Sequence, residues 1–213
     1  MPAGNAIHAS RMLLGNDLTP EAVRRMDEEE GTRAALQIAS CRPAAVAYCC
    51  TASSIVQGLE YDRHLQELLI QRTGATCFTA VRAIIEALQA VKAHRISVAS
   101  PYPDAIDRME HDFFTRAGFE VVGSANLGIA DSFRLAEPTR EELLNLARAA
   151  WHRDADALLI TCLNLRSHEV VEALETELGK PVITSTQATL WKLLRVAGVA
   201  DAIEGYGQLL YAR

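Results

Sequence analysis

Apolar residues recur along this chain in two alternating patterns. The continuous apolar run at 44–48 (AAVAY) and the short, mostly apolar runs at 96–99 (ISVA) and 157–161 (ALLIT) have the look of buried strands. Longer stretches between them place apolar side chains three and four positions apart, the spacing of helices that bury one face. The pattern predicts a short strand at 6–12, then a helix opened by Thr19, Pro20 and Glu21 and continuing to about Ser40. A strand at 44–48 is followed by the small, polar CCTASS and a helix from 55 to 72, closed by Gly74. Strand 75–78, helix 81–93, strand 96–99 and helix 104–117 come next. Strand 119–123, helix 138–153 with Thr139 as cap, and strand 157–161 follow. A helix at 167–178 stopped by Gly179, a strand at 181–184 and a helix at 186–196 complete the series.

Strands that alternate with helices of this length predict an α/β protein built on parallel sheets. No long Gly/Ser/Pro linker divides it, and 101–103 (PYP) is the best hinge candidate. Two segments echo each other. AVAYCCTASSIVQGLE at 45–60 and ALLITCLNLRSHEVVEALE at 157–175 each carry an apolar strand, a cysteine at its carboxyl end, a polar turn and a helix. Each is followed by a glycine, a brief strand and an apolar helix. The expectation is two similar lobes with parallel sheets flanked by helices, related by a pseudo-twofold axis, with the active site between them. The first lobe is drawn as 1–96 plus 186–213, the last helix returning to it, and the second as 97–185.

Composition narrows the picture. The chain has 213 residues, 49% hydrophobic and 23% charged, so it can bury a sizeable core. A net charge of −6 with no basic run argues against a nucleic-acid partner. No segment is apolar over the roughly 18 to 20 residues of a membrane span, and the first ten residues lack a signal peptide's pattern. A cytoplasmic protein is expected, with a small carboxylate as its partner; a homo-oligomer is compatible with the composition. Five cysteines, an odd number with no C-x-x-C spacing, read as thiols rather than a disulfide or zinc framework, and neither metal nor cofactor is expected.

Among them, Cys50 and Cys162 stand where open parallel sheets hold ligands, beyond strand carboxyl ends. A following helix lowers a thiol's pKa and offers N–H groups to an anion. Thr51, Ser53 and Ser54 add hydroxyls that could stabilise an enediolate. A buried cysteine is by default a small hydrophobe, and it is the matching positions in the repeat that favour chemistry for these two. Cys49 is read as core, Cys41 and Cys77 as structural, the six histidines as surface residues, and Trp151 and Trp191 as packing. Tyr102 by itself reads as a half-buried aromatic at a strand end.

With these residues in hand, the sequence resembles the aspartate/glutamate racemase superfamily, nearest to its maleate cis–trans isomerases and arylmalonate decarboxylases. The resemblance rests on HASR (8–11), AYCCTASS (47–54), VASPY (98–102), LGIADSF (127–133), LLITCLNL (158–165) and TQATLWKLLR (186–195) in that order. It implies that Cys50 and Cys162 are catalytic. It also implies that Thr51 and the backbone of Ala52 grip a substrate carboxylate, that Tyr102 donates to one, and that the backbone N–H of Leu163 serves the second lobe. Ser132 falls where the isomerases carry a carboxylate-binding asparagine. The decarboxylases replace the first cysteine by glycine, so Cys50 favours an isomerase or racemase. The family's opening strand, with its Pro-Ser-Ser-Asn-type turn, has no counterpart in the sequence as given. The stretch 6–12 is therefore expected either to pair with 44–48 or to lie at an exposed edge, with weak turnover.

The function expected is cofactor-independent isomerisation of a small dicarboxylate, maleate to fumarate, by addition of the Cys50 thiolate with Cys162 as proton donor and acceptor. The alternatives are a two-cysteine amino-acid racemase, an arylmalonate-type decarboxylase, and a catalytically dead binding protein of the same fold.

Overall fold

In the computed structural model, residue 2 and residues 4–211 are described. The chain is an α/β protein with two parallel sheets. Helix α1 (Pro20–Met26) is capped by the Thr19 hydroxyl, which accepts from the Ala22 N–H, with Pro20 at its first position. A π-helical turn, Asp27–Gly31, joins it to α2 (Thr32–Ala39). Strand β1 (Ala45–Tyr48) leads through Cys49 and Cys50 into α3 (Thr51–Gln57) and α4 (Leu59–Thr73), and then into β2 (Thr76–Thr79), which pairs with β1 in parallel. Gly74 closes α4 in the left-handed conformation, as expected.

Helix α5 (Ala80–Ala90) returns to the second sheet, whose strands are β3 (Arg95–Ser100), β4 (Glu120–Asn126), β5 (Ala157–Ile160) and β6 (Val182–Thr184). Their order is β4-β3-β5-β6, and all three pairings are parallel. Helices α6 (Asp104–Arg116), α7 (Arg140–Ala150), α8 (Val171–Leu178) and α9 (Ser185–Val196) fill the crossovers and the return. Thr139 and Glu142 form a capping box on α7, and Thr184 with Gln187 does the same on α9. Helix α9 packs along α5 and reaches β1, while α3 packs against α6. One apolar cluster runs from Phe78 and Ile84 through Val98 and Leu159 to Leu174. A smaller one, with Val46, Tyr48, Leu65 and Cys77, lies under α2 and α4.

Four sequence expectations need correction. The stretch 6–12 forms no strand. Ile7 and Leu13 lie largely in solvent, while Met12 and Leu14 lean on the two clusters, so the tail's apolar residues share no single face for a sheet to bury. Further along, the tail runs against a loop instead: Leu18 donates to the Ala130 carbonyl and Ser132 to that of Asn16. Second, the helix expected at 55–72 begins earlier, at Thr51, and breaks at Gly58, whose φ of 88° lies where only glycine sits without strain. Third, Cys49 is exposed rather than core, because β1 ends at Tyr48 and has no partner strand on its other side; Cys41 is exposed as well. Fourth, the strand expected at 96–99 runs a residue further at each end, from Arg95 to Ser100. The sheets are also unequal, with two strands against four. Among the described residues, no helix is long and apolar enough to cross a membrane.

Candidate active site

Three strand ends of the two sheets carry the site. Cys50 lies two residues beyond β1, Tyr102 two beyond β3 and Cys162 two beyond β5. Cys50 is extended (φ −140°, ψ 106°), donates its N–H to the Tyr48 carbonyl, and stands as N-cap of α3. Its side chain is half-buried, whereas Cys162 and Tyr102 are buried. All five cysteines are free thiols.

The electrostatics show that these groups share one environment. Burial, followed by the negative charge of Asp27, pushes the Cys50 thiol up to about 12, and a charge on Cys162 adds to the rise. The backbone N–H of Ser53 opposes it by favouring the thiolate, while the Ser53 hydroxyl lies by the sulfur with its own proton directed to Asp27 Oδ1 at 2.7 Å. Burial also raises Cys162, against donation from the N–H groups of Asn164 and Leu165 and from the Tyr102 hydroxyl. Tyr102 is raised by burial first, and then by the charges of Cys162, Glu110 and Cys50. Both thiols are therefore protonated at rest, and each has donors placed to stabilise its thiolate as it forms.

Cys162 has a positive φ of 80°, in the region that costs a side-chain-bearing residue roughly 1–2 kcal/mol. The turn brings the Asn164 and Leu165 amides onto its sulfur. Strain of this kind at a strand end is a mark of a functional position. It yields a prediction: Cys162→Gly and Cys162→Ala both lose the thiol, but only glycine relieves the backbone. Cys162→Gly should therefore melt above Cys162→Ala, by about 2–4 °C for each kcal/mol recovered. Equal melting temperatures in a thermal scan would show that the conformation is not strained.

The remaining sequence candidates divide. Thr51 is buried, and its hydroxyl donates to the Ser185 hydroxyl at 3.3 Å, tying the start of α3 to the start of α9. Ala52 is buried beside it. Leu163 offers its carbonyl to the Thr186 hydroxyl at 3.5 Å, and the amides that face the Cys162 sulfur are those of the next two residues. Ser132 directs its hydroxyl proton to the carbonyl of Gly15, so in this conformation it is turned to the chain's early segment and not to a substrate. Among the described residues, no three His, Cys, Asp or Glu side chains converge as a metal ion would require.

Sequence reasoning missed two buried acids near the cysteines. Asp27, on the π-helical turn, is only 6% exposed and accepts from Tyr48 (2.7 Å), Ser53 (2.7 Å), Gln57 (2.8 Å) and Tyr61 (3.0 Å). It lies in the run DEEEG, which as sequence looks like a solvated helix face. The glycine that closes this run, Gly31, lies against the Tyr48 ring, where a Cβ would meet the Tyr48 oxygen at 2.9 Å. Glu110 on α6 is fully buried, takes the Thr161 hydroxyl on one oxygen at 3.2 Å, and has no partner on the other. Burial lifts its carboxyl well above the ordinary range, opposed by the Thr161 hydroxyl.

The sequence model of the arylmalonate decarboxylase family matches residues 13–210. The chain belongs to the arylmalonate decarboxylase family. Within and around this family, it is 27% identical over 215 residues to the maleate isomerase of Pseudomonas putida, an alignment covering 98% of this chain and 85% of that protein. It is 28% identical over 162 residues to the arylmalonate decarboxylase of Bordetella bronchiseptica, covering 75% of this chain and 68% of the other. Among solved structures, the maleate isomerase of P. putida S16 crystallised with maleate superposes with a TM-score of 0.91 at 26% identity, covering 96% of this chain and 84% of the isomerase. The arylmalonate decarboxylase family thus supplies the fold around the two cysteines.

Proposed function

We propose that this chain is a cofactor-independent isomerase that converts maleate to fumarate, with Cys50 as nucleophile and Cys162 as proton donor and acceptor. The observation that carries the reading is the placement of two free thiols at the ends of strands from different sheets, with the charge of Cys162 felt at Cys50, the charges of both felt at Tyr102, and amide donors facing each sulfur. The likeness to maleate isomerases over nearly the whole chain supports it.

In this mechanism Thr51, the Ala52 backbone and Tyr102 hold the substrate carboxylates, and the Leu163–Leu165 turn holds the second-lobe end. The Cys50 sulfur adds to one alkene carbon, and the π pair moves onto the adjacent carboxylate as an enediolate. Cys162 protonates the carbon, the former double bond rotates as a single bond, and Cys162 removes the proton as sulfur leaves. The two lobes meet around this site, the first made of the β1–β2 sheet with α9 and the second of the four-stranded sheet. Free thiols support a cytoplasmic, reducing setting for this isomerase.

Incubation with maleate, aspartate, glutamate and an arylmalonate in deuterated water, followed by proton NMR, tests the reading. Fumarate forming from maleate alone is the expected result. Exchange of the α-proton of aspartate or glutamate would replace it with a racemase, loss of carbon dioxide from the arylmalonate with a decarboxylase, and inertness toward all four with a binding protein.

A further inference from the structure

Cys50 must lose its proton when it attacks, and the buried network beneath it offers a path. Ser53 is fully buried in the first turn of α3, with its hydroxyl and amide facing the Cys50 sulfur. That hydroxyl has a single proton, and it points to Asp27 Oδ1 at 2.7 Å. With its proton so directed, the Ser53 oxygen has a lone pair free for the Cys50 thiol. Asp27 is itself fixed by Tyr48 from β1, Gln57 from α3 and Tyr61 from α4. Four donors from three elements, two on each oxygen, hold this buried carboxylate in place.

Building on the isomerase reading, we propose that Asp27 is a positioning residue that acts through Ser53 to take up the Cys50 proton during attack. As the carbon–sulfur bond forms and the π pair moves to the carboxylate, the thiol proton passes to Ser53 Oγ. The Ser53 proton passes in turn to Asp27 Oδ1. Departure of the sulfur after rotation runs both transfers backward, so the enzyme ends as it began. Neither Asp27 nor Ser53 touches the substrate.

Burial raises the Asp27 carboxyl, opposed by its donors, which makes it a better base than an exposed aspartate. The other titratable groups beside it are Glu28 on its own turn and His64 and Arg72 of α4, which line the same cavity. A simpler role for Asp27 predicts the opposite chemistry. Its negative charge alone favours the protonated form of Cys50. If Asp27 were only a neighbouring charge, Asp27→Asn would release the thiolate and make Cys50 react faster.

The experiment reads two quantities in wild type, Asp27→Asn, Ser53→Ala, the double variant and Cys77→Ala. One is the rate at which iodoacetamide labels Cys50, located by peptide mass spectrometry, and the other is kcat and KM for maleate. A relay predicts that Asp27→Asn and Ser53→Ala each slow labelling. It also predicts that each lowers kcat by about 10²-fold with KM changed less than about 3-fold, and that the double variant is no slower than either. Cys77→Ala perturbs the buried cluster that contains Tyr48 without touching the path, and should keep near-wild-type kcat. Faster or unchanged labelling in Asp27→Asn, additive losses in the double variant, or an equal loss in Cys77→Ala would overturn the proposal. Should Asp27→Asn fail to fold, Ser53→Ala against Cys77→Ala decides. If the wild type does not turn over maleate, the isomerase reading fails, while the labelling rates still judge the relay.

Discussion

Replacing Cys50 or Cys162 by alanine should each reduce maleate turnover by at least about 10²–10⁴-fold, the range associated with a positioned proton-transfer group. Cys50→Ala removes the atom that bonds to carbon, so its residual rate should be the lower of the two. The double variant should be little worse than Cys50→Ala, because both groups act on one intermediate and their losses do not add. Cys77→Ala is the control. Cys77 is buried under α4, with its sulfur 3.1 Å from the Thr73 hydroxyl, in the smaller apolar cluster. Its loss should affect melting temperature and leave kcat in place. In wild-type protein, iodoacetamide should label Cys50 ahead of Cys77, since exposure governs which thiol meets the reagent. A fully active Cys50→Ala, measured by the fall in maleate and rise in fumarate, would remove the nucleophile from the mechanism. A Cys77→Ala variant as inactive as Cys162→Ala would show that both losses are structural.

The largest stability effect is expected at Phe114. It is fully buried on α6, edge-on to Phe113 with ring centres 5.7 Å apart and to Phe119 at 6.4 Å. Helix α6 packs on both α3 and β4, so a cavity there loosens the contact between the helix that follows Cys50 and the sheet that carries Cys162. Phe114→Ala should cost about 3–5 kcal/mol, a large part of the roughly 5–15 kcal/mol that holds a typical domain together. At about 2–4 °C per kcal/mol, the melting temperature should fall by roughly 6–20 °C. A loss under about 1 kcal/mol in chemical denaturation would mean that the neighbouring rings collapse into the space.

The sequence by itself determined the α/β class, the succession along the chain of the strands from β1 to β6, and the positions of Cys50, Tyr102 and Cys162 at strand ends. These features are local. A four- to five-residue apolar run bounded by polar turns is too short for a helix and fits a strand covered on both faces, and Thr139, Gly74 and Gly179 mark helix ends through their own capping chemistry. The tertiary structure decided what depends on partners distant in sequence. Residues 6–12 have a strand-like pattern, but no neighbouring strand takes them up, and a strand without a ladder does not form. Ser132 resembled a substrate contact until the fold set the Gly15 carbonyl in front of its hydroxyl. The left-handed turn at Cys162 goes against what its residue type prefers, so only the surrounding packing could impose it. Asp27 is the clearest case. In sequence it opens an acidic run, yet Tyr48, Ser53, Gln57 and Tyr61, from three later elements, converge on it. A carboxylate becomes tolerable in the interior only when such donors surround it, and which donors arrive is settled by the packing of whole helices and strands, not by the residues beside it in the chain.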